Sequence, residues 1–169
     1  GNRRVTADAL GPRTAQKILV TMGPQHTLPV RGIRPVAALA PGVAASTGLT
    51  LRQLAGALVE TVHPAALLCV DSLCSAEAAR LGRTVQFSDT GLYPADAEHA
   101  RHLDAAALGV PVIAAGIPTL MEAEEGADLV ITPRALDSVI AHGSALLAGA
   151  INRALQPRLS VAQLCWLTG

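Results

Sequence analysis

Asp8, Asp71 and Asp89 are the side chains of this sequence whose type and context could carry chemistry. Asp71 follows the apolar run Ala66-Leu-Leu-Cys-Val70, Asp8 lies where a helix would begin, and Asp89 stands in Ser88-Asp-Thr-Gly91. Two carboxylates brought within about 4 Å repel by roughly 4 kcal/mol at an effective dielectric near 20, equivalent to about three pKa units on one of them. One then holds a proton at neutral pH while the other stays ionised. The ionised member can deprotonate a water and the protonated member can polarise a scissile carbonyl, the division of labour of aspartic proteases. The same acids would also suit a divalent cation, and spacing leaves both open. Each acid has a plainer use as well. An Asp at a helix start is ordinarily a cap, and an Asp before Thr-Gly ordinarily turns the chain. Asp71 is harder to assign to structure, because an acid closing an apolar strand at a ligand-binding edge is an uncommon placement.

Other nucleophile and ligand patterns are missing or weak. Cys69, Cys74 and Cys165 are odd in number and lack CxxC spacing, so they suggest neither a disulfide framework nor a zinc knuckle, and Cys69 reads as a small buried hydrophobe. His99 and His102 have i,i+3 spacing but sit among Asp96, Glu98, Arg101 and Asp104, as a solvated helix face would. His26, His63 and His142 are isolated, and His63 before Pro64 reads as a helix-end residue. Neither G-x-S-x-G nor a glycine-rich phosphate loop occurs.

The acids need elements to hold them. Val36–Ala40, Ala66–Val70, Thr84–Phe87 and Val110–Ala115 read as short strands. Between the first two, Thr50-Leu-Arg-Gln53 is a capping box, and Leu51, Leu54, Ala55, Leu58, Val59 and Val62 share one helical face. Val36 to Val70 is therefore expected to be a strand, crossover helix and parallel strand. Residues 8–21 have helical character, with Pro12 confined to the first turn. A last long helix is expected from Thr132-Pro133, as N-cap and first residue, to Leu155 before Pro157. The resulting expectation is one α/β domain over residues 1–169, with helices packed on a sheet that contains parallel pairing. Open sheets of this kind bind ligands outside the carboxyl ends of their strands, where Asp71 and Ser88-Asp89-Thr90-Gly91 are expected.

Composition narrows the partners. Half of the residues are apolar but only Phe87, Tyr93 and Trp166 are aromatic, so the core is built from Ala, Val, Leu and Ile. Thirteen basic and thirteen acidic residues cancel, and the like-charge cluster Glu122, Glu124 and Glu125 is short, which implies no polyelectrolyte partner. With so few stacking side chains, nucleic-acid binding is disfavoured. No apolar stretch reaches the roughly 18 residues of a membrane span and Gly-Asn-Arg-Arg is no leader, so a cytoplasmic protein is expected.

Several ordered blocks carry a resemblance. Gly1-Asn2 with Val5-Thr-Ala-Asp-Ala-Leu-Gly-Pro12, Arg34-Pro-Val36, Ala40-Pro-Gly-Val43 and Thr47-Gly48 open the series. Val70-Asp-Ser-Leu73, Thr84-Val-Gln-Phe-Ser-Asp-Thr-Gly91, Leu108–Ile113, Gly116-Ile-Pro-Thr119 and Ile131-Thr-Pro133 continue it. In this order they resemble the germination proteases of spore-forming Firmicutes, over most of the chain. The resemblance implies an α/β fold with a parallel-rich sheet and helices on both faces, like the sandwiches of phosphorylases and hydrolases. It also implies an atypical aspartic-type endopeptidase with Asp8 and Asp71 as its catalytic pair, and Asn2, Asp89, Thr90 and Gly91 as supporting residues. It further implies no cofactor or metal, a zymogen-derived homotetramer, and a forespore or spore-core location. Its substrates would be small acid-soluble spore proteins.

Three departures accompany the resemblance. The family's amino-terminal region is not in this sequence, its glycine-rich basic loop is replaced by Tyr93 to His102, and an insertion is reduced to about residues 122–128. A non-catalytic scaffold of the same fold is one alternative. Hydrogenase-maturation proteases, distantly similar and nickel-directed, are another.

Overall fold

A computed structural model describes residues 1–23, 31–93, 102–123 and 129–169. The long strand β3 (Val112–Glu122) organises it, and its first eight residues, Val-Ile-Ala-Ala-Gly-Ile-Pro-Thr, are nearly all buried. A run apolar on both faces is what a central strand covered by helices requires. β1 (Leu67–Cys74) pairs with it in parallel, Asp71 lying opposite Gly116. β2 (Gln86–Ser88) pairs antiparallel on the other side, Gln86 also opposite Gly116, and β4 (Val130–Ile131) pairs antiparallel with Met121 and Glu122. Among the described residues this makes one four-stranded mixed sheet.

Helices cover both faces, and α2 (Ala44–Thr47) and α4 (Ala105–Leu108) are single turns. On one, Ala9, Leu10, Ile140 and Leu147 pack on Ala115 and Ile117, bringing together α1 (Leu10–Ala15) and α5 (Leu136–Leu155). On the other, Ala55 of α3 (Leu51–Val62) packs with Leu92, Leu103 and Ala114. The poverty in aromatics has a geometric consequence: α5 turns Gly143, Ser144 and Ala148 inward, and a methyl group on Gly143 would lie 2.5 Å from Ile117 Cδ1. Small residues let this helix lie close against the sheet. The chain is therefore an α/β fold with helices on both faces of the sheet.

The Thr50 capping box forms as expected, with Gln53 N–H on Thr50 Oγ1 at 3.2 Å and Gln53 Oε1 accepting from Thr50 N–H at 2.8 Å. α3 ends at Val62, and His63 takes a left-handed conformation, φ 48°, before Pro64. Other expectations are corrected. Val36–Ala40 is not a strand but a largely exposed extended segment whose Val36 N–H bonds Thr21 Oγ1 at 2.9 Å, so the Val36 to Val70 crossover unit does not form. The parallel partner of β1 is β3 instead. Long-range pairing, which an isolated apolar run cannot specify, decides this. Thr132-Pro133 does not start α5; the Pro133 carbonyl accepts from Leu136 N–H in a turn, and the helix begins three residues beyond Pro133 without a side-chain cap. Residues 8–21 are helical only at Thr6–Asp8, a 3₁₀ turn, and in α1.

Two buried amides, Asn152 in α5 and Gln156 just after it, fasten the irregular chain at residues 17–19 and at Arg34. Asn152 accepts from Leu19 N–H and donates to the Lys17 carbonyl, both at 2.9 Å. Gln156 accepts from Arg34 N–H at 3.0 Å and donates to the Arg34 carbonyl at 2.8 Å. Each amide thus serves one backbone N–H and one backbone C=O, as a strand neighbour would. Replacing Asn152 by Leu strands the Leu19 N–H and the Lys17 C=O and is expected to cost about 2–3 kcal/mol in urea unfolding at an unchanged m-value. Gln156→Leu strands only the Arg34 N–H, since the Arg34 carbonyl also accepts from Thr21 Oγ1 at 2.6 Å, and should cost about 1–2 kcal/mol. A loss below about 0.5 kcal/mol would show that water serves these peptides equally well.

Candidate active site

Asp71 is not the terminal residue of its strand, because β1 continues to Cys74. Its side chain is 29% exposed, and its Oδ1 accepts from Ser72 N–H at 2.9 Å. Asp8 closes the 3₁₀ turn Thr6–Asp8 ahead of α1, and its Oδ2 accepts from Asn2 N–H at 2.5 Å. Asn2 is held for this by its own side chain, whose Oδ1 accepts from Arg4 N–H at 3.0 Å while its carbonyl accepts from Val5 N–H at 3.2 Å. The Gly1 nitrogen lies 3.7 Å from Asp71 Oδ1. Successive backbone nitrogens therefore face the two acids.

The acids share one small space. A methyl group on Gly1 would sit 2.9 Å from Asp8 Oδ1 and 3.3 Å from Asp71 Oδ1, so the two oxygens are no farther apart than those distances combined. It would also overlap the Asp8 carbonyl oxygen, which leaves room only for glycine. Glycines govern the approach elsewhere too. A methyl on Gly11 would overlap the Val70 carbonyl, and one on Gly116 would overlap the Asp71 carbonyl and lie 2.6 Å from Leu73 Cγ. The first brings α1 onto β1, and the second lets β3 pass beside Asp71.

Burial raises the Asp71 carboxyl above its ordinary value of 3.8; the Gly1 ammonium and Ser72 N–H oppose this, and the Asp8 charge adds to it. Were residue 1 preceded by a peptide bond, the opposing ammonium would be an amide and Asp71 would rise further. Burial, aided by Asp71, likewise pushes the Cys69 thiol up to about 11, so Cys69 is a neutral neighbour rather than a thiolate.

Asn2 joins the aspartates, but Asp89, Thr90 and Gly91 do not. Because β2 runs antiparallel, Ser88 pairs with Ala114, two residues toward the amino end of β3 from Gly116 and on the opposite side of β3 from β1. The loop after it is directed away from Asp71. Ser88 Oγ accepts from Thr90 N–H at 3.1 Å and lies 2.7 Å from Thr90 Oγ1, and Gly91 has φ 105°, so the segment is a turn with Asp89 exposed. His26, His99, Arg101 and most of the Tyr93 to His102 loop lie outside the described residues; the Tyr93 and His102 rings meet edge to face at 4.5 Å. Among the described residues no three His, Cys, Asp or Glu side chains are grouped to hold a metal ion. No described helix is long and apolar enough to cross a membrane. A cleft of about 300 Å³ between α5 and residues 82–85, lined by Arg83, Val85, Ile117, Val139, His142 and Leu146, includes neither aspartate.

Comparison with known proteins matches residues 1–125 to the family model described as germination protease. The chain is 31% identical to the germination protease of Clostridium perfringens over 210 aligned positions, covering 94% of this chain and 65% of that protein. It is 38% identical to that of Halalkalibacterium halodurans, over 84% of this chain and 38% of the relative, and 28% identical to that of Clostridium acetobutylicum, over 97% and 66%. The chain thus spans from about two thirds down to well under half the length of these relatives. The matched region contains Asn2, Asp8, Asp71 and the block ending in Thr119, and on this match the chain belongs to the germination protease family.

Proposed function

We propose that the protein is an endopeptidase in which Asp8 and Asp71 activate water as a pair. The observation that carries this reading is the shared space beside Gly1, where an oxygen of each carboxyl lies within 3.3 Å of one point. Burial and the neighbouring Asp8 charge favour the proton on Asp71, so Asp71 is the acid and Asp8 the base. The Asp8 carboxylate takes a proton from water as the oxygen bonds to the scissile carbonyl carbon. Asp71 gives its proton to the carbonyl oxygen. As the tetrahedral intermediate collapses, the C–N bond breaks, Asp8 passes its proton to the leaving amine, and Asp71 recovers a proton from the reforming carbonyl. The partly exposed Asp71 can meet an extended backbone without the substrate entering an enclosed cavity.

Family membership supports small acid-soluble spore proteins as substrates, a spore setting and a homo-oligomeric state for the whole protein. The direct test is cleavage of such a protein by the full-length form. Cleavage abolished by Asn at either position supports the reading. A full-length protein that is folded and cleaves nothing favours the non-catalytic scaffold.

The proton assignment has a stability consequence. A carboxyl raised by folding contributes stability that is complete below its unfolded value and is lost as pH rises through the folded one. Asp71→Asn removes that loss. Relative to the parent, the variant is expected to gain stability as pH goes from below about 4 to neutral, measured by thermal unfolding across pH. A constant difference would place the shared proton elsewhere.

A further inference from the structure

We infer that Thr119 is a positioning residue for Asp8, an inference that rests on the paired-aspartate reading. Thr119 is fully buried, and its Oγ1 donates to the Ala7 carbonyl at 2.7 Å, joining residues 112 apart in sequence. Ala7 lies within the 3₁₀ turn whose last residue is Asp8, and Thr119 supplies the hydrogen bond described for that carbonyl. The turn's other backbone bonds, Asp8 N–H to Val5 and Ala9 N–H to Thr6, are local. They shape the turn without fixing it against the sheet.

The strand is built to make this contact. Leu73 pairs with Pro118 but Cys74 pairs with Leu120, so Thr119 is the extra residue of a bulge in β3. Pro118 has no N–H for the ladder, and proline inside a sheet is found at such irregularities. A bulge re-aims a side chain. Here the re-aimed hydroxyl lands on the residue before Asp8, while Asp71 is carried by β1, which the same strand holds through the Asp71–Gly116 pair. β3 thereby ties both carboxyls to one frame. Loss of the hydroxyl frees only the Asp8 side, and a shift of about 1 Å at a reacting group can cost a hundredfold in rate.

The test compares Thr119→Val, which keeps the shape and removes the donor, with Thr119→Ser, which keeps the donor, in the full-length protein. Thr119→Val is expected to lower kcat at least about tenfold with KM within about twofold, and Thr119→Ser to restore kcat to within about threefold. A second readout does not use activity: the Asn2 amide proton, bonded to Asp8 Oδ2, should keep its hydrogen-bonded chemical shift in the parent and in Thr119→Ser, and lose it in Thr119→Val. Equal kcat in the Val variant, or equal impairment in Val and Ser, would overturn the inference where the parent is active. If the parent, or its Asp8→Asn form, shows that the pair is not catalytic, the Asn2 amide shift still decides whether Thr119 places Asp8. An Asn2 amide shift unchanged in folded Thr119→Val overturns it.

Discussion

Asp8→Asn and Asp71→Asn are each expected to lower cleavage of small acid-soluble spore protein at least about a hundredfold, the lower bound for losing a general acid or base. Asparagine keeps the volume and part of the hydrogen bonding, so unfolding curves should show folded proteins in both cases. On the proposed reading, in which the two carboxyls act on one water and one carbonyl, their effects do not add, and the double variant should be little worse than the more damaged single one. Asp89→Asn is the comparison. Asp89 is exposed in a turn on the far side of β3, and its replacement should leave the rate within about threefold. A wild-type rate in folded Asp71→Asn would remove the paired-aspartate mechanism.

Gly11→Ala should behave opposite to helix propensity. In an exposed helix this change gains up to about 1 kcal/mol. At Gly11 the added methyl overlaps the Val70 carbonyl oxygen, so α1 must move off β1. Forced overpacking costs about 1–3 kcal/mol, and a net destabilisation near 2 kcal/mol is expected by denaturant unfolding. Activity should fall further than stability does, by tenfold or more at a temperature where the variant is folded, because Asp8 lies only three residues before Gly11. A variant more stable than the parent would mean that α1 does not rest on β1 as described.

Much of the site was legible in residue types. The acids stood out because Asp71 interrupts an apolar strand and Asp8 precedes a helix, and the ordered blocks from Gly1 to Pro133 pointed to the family that the comparisons then showed. Asn2 was legible only through those blocks; its backbone N–H, not its side chain, reaches Asp8. Thr119 was visible within a block, but its role was not. The available signal was Pro118 inside an apolar strand, which marks a bulge and hence a redirected neighbour. The Ser-Asp-Thr-Gly segment lies away from the two acids, since the loop following a strand reaches the edge that carries Asp71 only if that strand runs parallel to β1.

The sequence by itself determined the local decisions: the Thr50–Gln53 cap, the end of α3 before Pro64, the apolar central strand and the small residues that let α5 approach it. These depend on side chains within a few positions of one another, where period and capping chemistry suffice. Tertiary structure alone decided which strands pair, that β2 runs antiparallel, that β3 bulges onto Ala7, and that Asp8 and Asp71 meet beside Gly1. Each of those outcomes joins segments tens of residues apart. Their choice depends on register and on backbones closing to distances only glycine permits, and no local window of sequence contains both partners.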